Sequence, residues 1–224
     1  MKRYLFLISL LLVLAGAVLF LSTNKGAVAQ NMACNSNNLT GLYDFENAAA
    51  FFEGKEIDKP LFARNLNLSI DSNVLGVSAP VERWIEVDLS EQKLKAWDGN
   101  TLFLETPTST GLPGTPTPTG EFHIWIKLRY TRMEGGVGRY YYNLPNVPFT
   151  MFFAGSDVPS WKGYGLHGTY WHNDFGTRRS HGCVNLPTPI AEKIFYWSGP
   201  VLPDGKSMTY ASDENPGTRI VIHE

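Results

Sequence analysis

Residues 165–185, GLHGTYWHNDFGTRRSHGCVN, gather the groups on which the reading of this 224-residue chain turns. They hold one cysteine, Cys183, and three of the chain's five histidines, His167, His172 and His181, set among Gly165, Gly168, Gly176 and Gly182. A thiol is a useful nucleophile near neutral pH only as its thiolate, and a nearby imidazole can take its proton. His181 stands two residues from Cys183, so in an extended segment both side chains point to one side, whereas His167 must come from another strand. The distant histidine is the better base, because a partner on a separate rigid element can be held at a fixed approach. Gly182 lets the chain turn sharply before the nucleophile and brings its amide, with that of Cys183, toward a developing oxyanion. The implied reaction is acyl transfer through a thioester.

His167-Gly168-Thr169, followed after the spacer by Ser180-His181-Gly182-Cys183-Val184-Asn185, resembles the signature of bacterial L,D-transpeptidases of the YkuD type. Two further blocks agree: Ser109-x-Gly111, and Thr117-Pro118-Thr119-Gly120-Glu121-Phe122. Val147-Pro148-Phe149 precedes the histidine as an aromatic-lined approach does in that family. The resemblance runs from about Arg83 to Glu224 and says nothing specific about residues 30–80.

The resemblance implies an enzyme that acts on the peptide stems of bacterial cell wall. Cys183 attacks the carbonyl of the third stem residue, expels the terminal D-alanine and leaves an acyl-enzyme. An amine of a second stem then resolves it into a 3-3 cross-link, and water as acceptor would give L,D-carboxypeptidase activity instead. His167 takes the proton and is oriented through its other nitrogen by a backbone carbonyl; no acidic third member is evident. His181 either lines the site or braces the loop. Ser180, Gly168, Gly182 and Asn185 are expected around the nucleophile, Gly182 as an oxyanion amide. The same thiol is the expected target of carbapenems. The route needs no metal and no organic cofactor.

The spacer and its surroundings are less specific. Arg178 and Arg179 suit a carboxylate through their guanidinium forks, though solvated surface charge explains them as well. Phe153, Tyr164, Trp171 and Trp161 either wall a groove for an extended peptide or fill core. His172 reads as a solvent-facing loop residue.

Composition sets outer limits. With 43% hydrophobic and 13% aromatic residues the chain can core one domain with a short extra segment. Its 19 basic and 21 acidic residues give a net charge of −2, with no basic block suited to nucleic acid. Lys2-Arg3, an apolar run over residues 4–21 and Ala27-Val28-Ala29 read as a signal peptide or membrane anchor over residues 1–29, placing the protein in the cell envelope. Both thiols, Cys34 and Cys183, are expected to be free.

Residues 30–80 read as an Asn-rich linker and a short segment of unknown role, with a helix ending near Gly54 and a second element over Leu61–Ile70. Residues 81–224 form the expected catalytic domain. Ile85, Val87 and Leu89 alternate with polar residues, Lys93–Trp97 continue the pattern, and Asp98-Gly99 turns into Thr101–Glu105. Phe122, Ile124, Ile126 and Leu128 alternate on one face, and Arg139–Asn143, Phe149–Phe153 and Thr218–His223 read as further strands. One helix is expected, with Thr188 as N-cap, Pro189 at the first helical position and Ile190–Trp197 following. The fold class is mostly β, a sandwich or closed barrel with this short helix directly after the catalytic strand.

Three other readings fit parts of the pattern. A sortase would need a T-L-x-T-C motif, which is absent. A zinc or structural module could draw on His167, His172, His181 and Cys183, although structural zinc usually uses paired cysteines. A non-catalytic wall-binding protein should show substitutions in the signature, and there are none.

Overall fold

The computed structural model describes residues 39–46, 49–58 and 82–224. The apolar run over 4–21, the A-x-A triplet, Cys34 and the Leu61–Ile70 segment lie outside the described residues. No described helix is long and apolar enough to cross a membrane.

The alternation that begins at Arg83 becomes strand β3 (Arg83–Asp88), which pairs antiparallel with β4 (Lys93–Asp98) and through it with β5 (Thr101–Pro107). Ile85, Val87, Leu94 and Ala96 are fully buried. Asp88 closes the first turn by accepting from the amides of Ser90 and Glu91 at 2.9 and 2.8 Å. The expected turn at Asp98-Gly99 is present, with Gly99 at φ +58°.

The spine of the molecule is the pairing of β6 (Gly120–Gly135) with β7 (Tyr142–Ala154). The expectation that Phe122, Ile124, Ile126 and Leu128 share one face is corrected at this point. All four are buried, but a bulge pairs Ile124 with Phe153 and Ile126 with Phe152, inserting one residue on β6. An inserted residue reverses which side chains face which way. Phe122, Ile124, Met151 and Phe153 therefore enter one apolar core, while Ile126, Leu128 and Phe152 enter a second. Arg139–Asn143 is likewise only partly strand: residues Gly138–Tyr140 form a 3-10 turn and β7 begins at Tyr142.

On the other side of β6 lie β10 (Met208–Tyr210) and β11 (Arg219–His223), and β11 runs parallel to β3. With β1 (Ala50–Phe52) and β2 (Lys55–Ile57), the strand order is β2-β1-β7-β6-β11-β3-β4-β5. Its two ends do not meet, so the sheet is sandwich-like and not a closed barrel. Two short strands, β8 (Gly165–Thr169) and β9 (Val184–Pro187), branch from β7.

Helix α1 (Thr188–Trp197) follows β9 directly, as expected. Its cap is shifted by one residue: Pro187 is the N-cap, and the Thr188 hydroxyl donates instead to the Thr169 carbonyl at 3.2 Å. Ala191, Ile194, Phe195 and Trp197 are buried, each larger side chain contributing about 1.5–3 kcal/mol of apolar burial. The far end of α1 is closed by Lys127, which is 1% exposed and donates through Nζ to the carbonyls of Phe195 and Ser198. Burial pulls its ammonium down to about 7.

The helix expected to end near Gly54 is instead the hairpin β1–β2. Glu53 and Gly54 take φ +52° and +70°, the backbone of a two-residue hairpin turn, and Phe51 pairs with Asn143 on the edge of β7. The free edge of β7 supplies pairing that overrides the local helical composition. Residues 39–46 are docked too: Gly41 accepts from the Tyr130 amide, and Asp44 and Asn146 exchange two hydrogen bonds of 2.7 and 2.9 Å.

Candidate active site

Strands β8 and β9 run parallel, with Leu166 beside Val184 and His167 beside Asn185. Because side chains alternate along a strand, Asn185 and His167 share a face, and Cys183 comes onto the same cavity just before β9 begins. Cys183 and His167 are 4% and 2% exposed. The Cys183 thiol donates to the Gly163 carbonyl at 3.7 Å. His167 Nδ1 lies 3.1 Å from the Gly168 carbonyl. A carbonyl oxygen can only accept, so Nδ1 carries the proton and Nε2 is left as the acceptor nitrogen of the neutral ring. Gly168 lets β8 pass close to β7 and α1: a Cβ there would stand 2.9 Å from the Pro148 ring and 3.1 Å from the Thr188 hydroxyl.

The segment before Cys183 is bent, not extended. Gly182 has φ +121°, a conformation that L side chains rarely adopt. His181 therefore does not follow strand alternation with Cys183. Ser180 Oγ donates to the Cys183 carbonyl and accepts from the Gly182 amide at 3.1 Å. The Gly182 amide is thus engaged by Ser180 in this state, rather than standing open as the oxyanion donor expected of it. Thr117 locks the same bend by accepting from the Gly111 amide and donating to the Gly182 carbonyl, each at 2.9 Å. Ser109 exchanges both backbone hydrogen bonds with Asn185, at 2.8 and 3.0 Å. The two sequence blocks before β6 are therefore the cradle of the cysteine loop.

The cavity is lined by Cys183, His167, His181, Ser180, Asn185 and Trp171, with Phe52, Met133, Tyr142 and Leu144 as its apolar wall. Three buried polar atoms on these residues have no partner among the described residues: Trp171 Nε1, His181 Nε2 and Asn185 Oδ1. His181 packs on the Tyr142 ring at 4.8 Å. Burial lowers its pKa, against the pull of Cys183 and Glu53. His172 is buried, not solvent-facing: its Nδ1 accepts from the Asp174 amide at 3.2 Å and its Nε2 lies 2.9 Å from Asn185 Nδ2. Burial, with the Arg179 charge beside it, brings it down to about 4.

Several expected contacts do not reach the cavity. Arg178 binds the Leu89 carbonyl and Glu224, each at 3.2 Å. Arg179 is paired with Glu53 and Asp174 at 3.2 and 3.1 Å. The side chain of Phe153 is in the main core, stacked on Tyr164 at 6.2 Å. Burial raises the Tyr164 phenol, and the nearness of Cys183 raises it further. Trp161 is 55% exposed. Of the aromatic residues proposed as groove walls, Trp171 alone lines the cavity. Sequence reasoning missed Phe52, which no local signal marks, and Gln92, whose buried amide ties Leu89 to Thr110.

A metal centre on these groups finds little support. Both ring nitrogens of His172 are occupied, and no three His, Cys, Asp or Glu side chains among the described residues are placed to hold an ion.

The open β-sandwich thus brings a cysteine and a histidine from adjoining strand ends to one cavity. A family model described as L,D-transpeptidase catalytic domain matches residues 82–222, and the chain belongs to that family. Similar solved structures include an Enterococcus faecium L,D-transpeptidase, 26% identical, covering 63% of this chain and 50% of that one with a TM-score of 0.48. An L,D-transpeptidase from Mycobacterium smegmatis is 22% identical, covering 64% and 59%, with a TM-score of 0.50. An LD transpeptidase in complex with imipenem is 23% identical, covering 63% and 58%, with a TM-score of 0.47. The chain thus spans about half the length of the Enterococcus structure. No curated protein matches it.

Proposed function

We propose that this protein is an exported, cell-envelope L,D-transpeptidase that cross-links peptidoglycan stem peptides through a thioester on Cys183. Family membership supports the reaction class. The observation that carries the residue assignment is the tether from His167 Nδ1 to the Gly168 carbonyl, which leaves Nε2 as the acceptor nitrogen in the cavity that Cys183 lines.

In this reading His167 Nε2 takes the thiol proton as Cys183 Sγ attacks the carbonyl carbon of the third stem residue. The bond to the terminal D-alanine breaks, and its amine leaves with the proton held by His167. An incoming amine then gives a proton to His167 and attacks the thioester, restoring the thiol. Export and envelope location rest on the N-terminal apolar run and the A-x-A triplet. Carbapenems, strained acyl donors, are expected to acylate the same sulfur.

Intact-mass spectrometry of the full chain exposed to a tetrapeptide stem, and separately to a carbapenem, tests the assignment. One adduct on the peptide holding Cys183, absent from a folded Cys183→Ala variant, is expected. An adduct that survives in that variant would sink the proposal. Product analysis separates amine from water as acceptor.

A further inference from the structure

The contact between His172 and Asn185 carries a contradiction that chemistry can resolve. The Asp174 amide points at His172 Nδ1, so Nδ1 must be the bare nitrogen of a neutral ring and Nε2 must carry the proton. Yet Nε2 faces Asn185 Nδ2 at 2.9 Å, which sets one donor against another, while Asn185 Oδ1 is buried without a partner. Both residues are deeply enclosed, at 9% and 2% exposure, so neither fault is relieved by solvent. The O and N of an Asn amide are assigned from the hydrogen-bond network, and turning this amide by half a revolution pairs Oδ1 with the Nε2–H and leaves Nδ2 as the group without a partner among the described residues. Turning the imidazole instead would replace both ring nitrogens by carbons and lose both contacts.

We propose that His172 is a positioning residue: its Nε2–H holds Asn185 Oδ1, and the Asn185 Nδ2 amide is thereby presented as a donor to the cavity of Cys183 and His167. The occupant of that donor is an acceptor oxygen of the acyl donor, a carbonyl or carboxylate. This rests on the function proposed above.

Three further observations fit. The Asn185 backbone is pinned from both sides, by its exchange with Ser109 and by the Thr108 hydroxyl, which donates to the Asn185 carbonyl at 2.7 Å. Rotation of the amide is the freedom that remains for His172 to fix. The imidazole sits against the rings of Phe175, Phe52 and Trp171 at 5.4, 6.1 and 6.2 Å, a surrounding that favours the neutral form. Burial is the dominant influence on it; of the titratable groups around it, Arg179 and His167 oppose protonation and Asp174 favours it. An amide donor, moreover, has no proton to exchange with the thiol, so it can hold an oxygen beside the reacting pair without competing for the base.

Nitrogen-15 NMR of the histidine rings in the full chain reads the arrangement directly. The expected result is a His172 protonated at Nε2 and bare at Nδ1; a proton on Nδ1 overturns the proposal. Steady-state kinetics on a stem peptide supply the second arm. His172→Phe, which keeps the ring and removes the donor, should raise KM roughly tenfold with a smaller change in kcat, the worth of one hydrogen bond. His172→Gln, which restores an N–H donor, should recover most of the loss. Unchanged KM in His172→Phe also overturns the proposal. If Cys183 is not acylated at all but the Nε2–H form is found, the functional reading fails and the arrangement stands.

Discussion

His167 donates its Nδ1 proton to the carbonyl of the residue that follows it, Gly168, at 3.1 Å. In the proposed mechanism the base is thus aimed by main chain, without a carboxylate partner. Replacing it should show its weight: His167→Ala is expected to slow acylation of Cys183 by about 10²–10⁴-fold, whereas His172→Ala should cost roughly tenfold. Pseudo-first-order acylation rates followed by intact mass compare the two, and equal losses would mean that the wrong imidazole has been assigned to the proton.

Thr117 links Gly111 to Gly182 through one hydroxyl. Thr117→Val keeps the shape and leaves a buried amide and carbonyl without partners, so stability should fall by about 1–3 kcal/mol. Acylation should slow as well, because the bend at Gly182 is no longer held. Urea unfolding and acylation rates measured on one preparation check both; a variant as stable as the parent would show that the bend is fixed by other contacts.

Lys127 gives the protein a measurable alkaline signature. Its folded value is near 7 against an ordinary 10.5, so between those limits the unfolded chain binds more protons than the folded one. Stability therefore rises with pH across that window, by up to about 1 kcal/mol per unit, and is flat in this respect below it. The neutral amine still has two N–H groups for the carbonyls of Phe195 and Ser198. The difference in unfolding free energy between the parent and Lys127→Met, taken from pH 7 to 10.5, should display this slope. A level difference would mean that the ammonium stays charged in the fold.

Phe52→Ala removes part of the cavity wall without touching Cys183 or His167. KM for a stem peptide should rise by about tenfold, on the scale of aromatic surface lost, with little change in kcat. A fall in kcat alone would place the ring's influence on the reacting groups instead.

Much of this was legible in the sequence. Period-2 alternation located β3 and β4, because each has one face more buried than the other, and the Asp98-Gly99 turn located β5. The signature brought Cys183 and His167 to one cavity. Alternation failed at Ile126, where a bulge shifts the register without leaving any trace in residue type. It failed again at Ala50–Phe52, whose strand state depends on an edge supplied by residues about ninety positions later. Arg178 and Arg179 looked like ligand contacts because guanidinium charge is readable, whereas the carboxylates of Glu224, Glu53 and Asp174 that occupy them are a matter of tertiary approach. His172 looked exposed for the converse reason: besides its local neighbours Trp171 and Phe175, it is covered by Phe52 and Asn185, which are distant in sequence.

The ring of Phe52 belongs to a hairpin that precedes the stretch matched by the family, residues 82–222. One ring of the cavity wall is therefore contributed from outside that stretch, beside Met133, Tyr142 and Leu144 from within it. On the function proposed above, a change confined to this hairpin would reshape what the cavity admits while leaving the sulfur and its imidazole on their own strands.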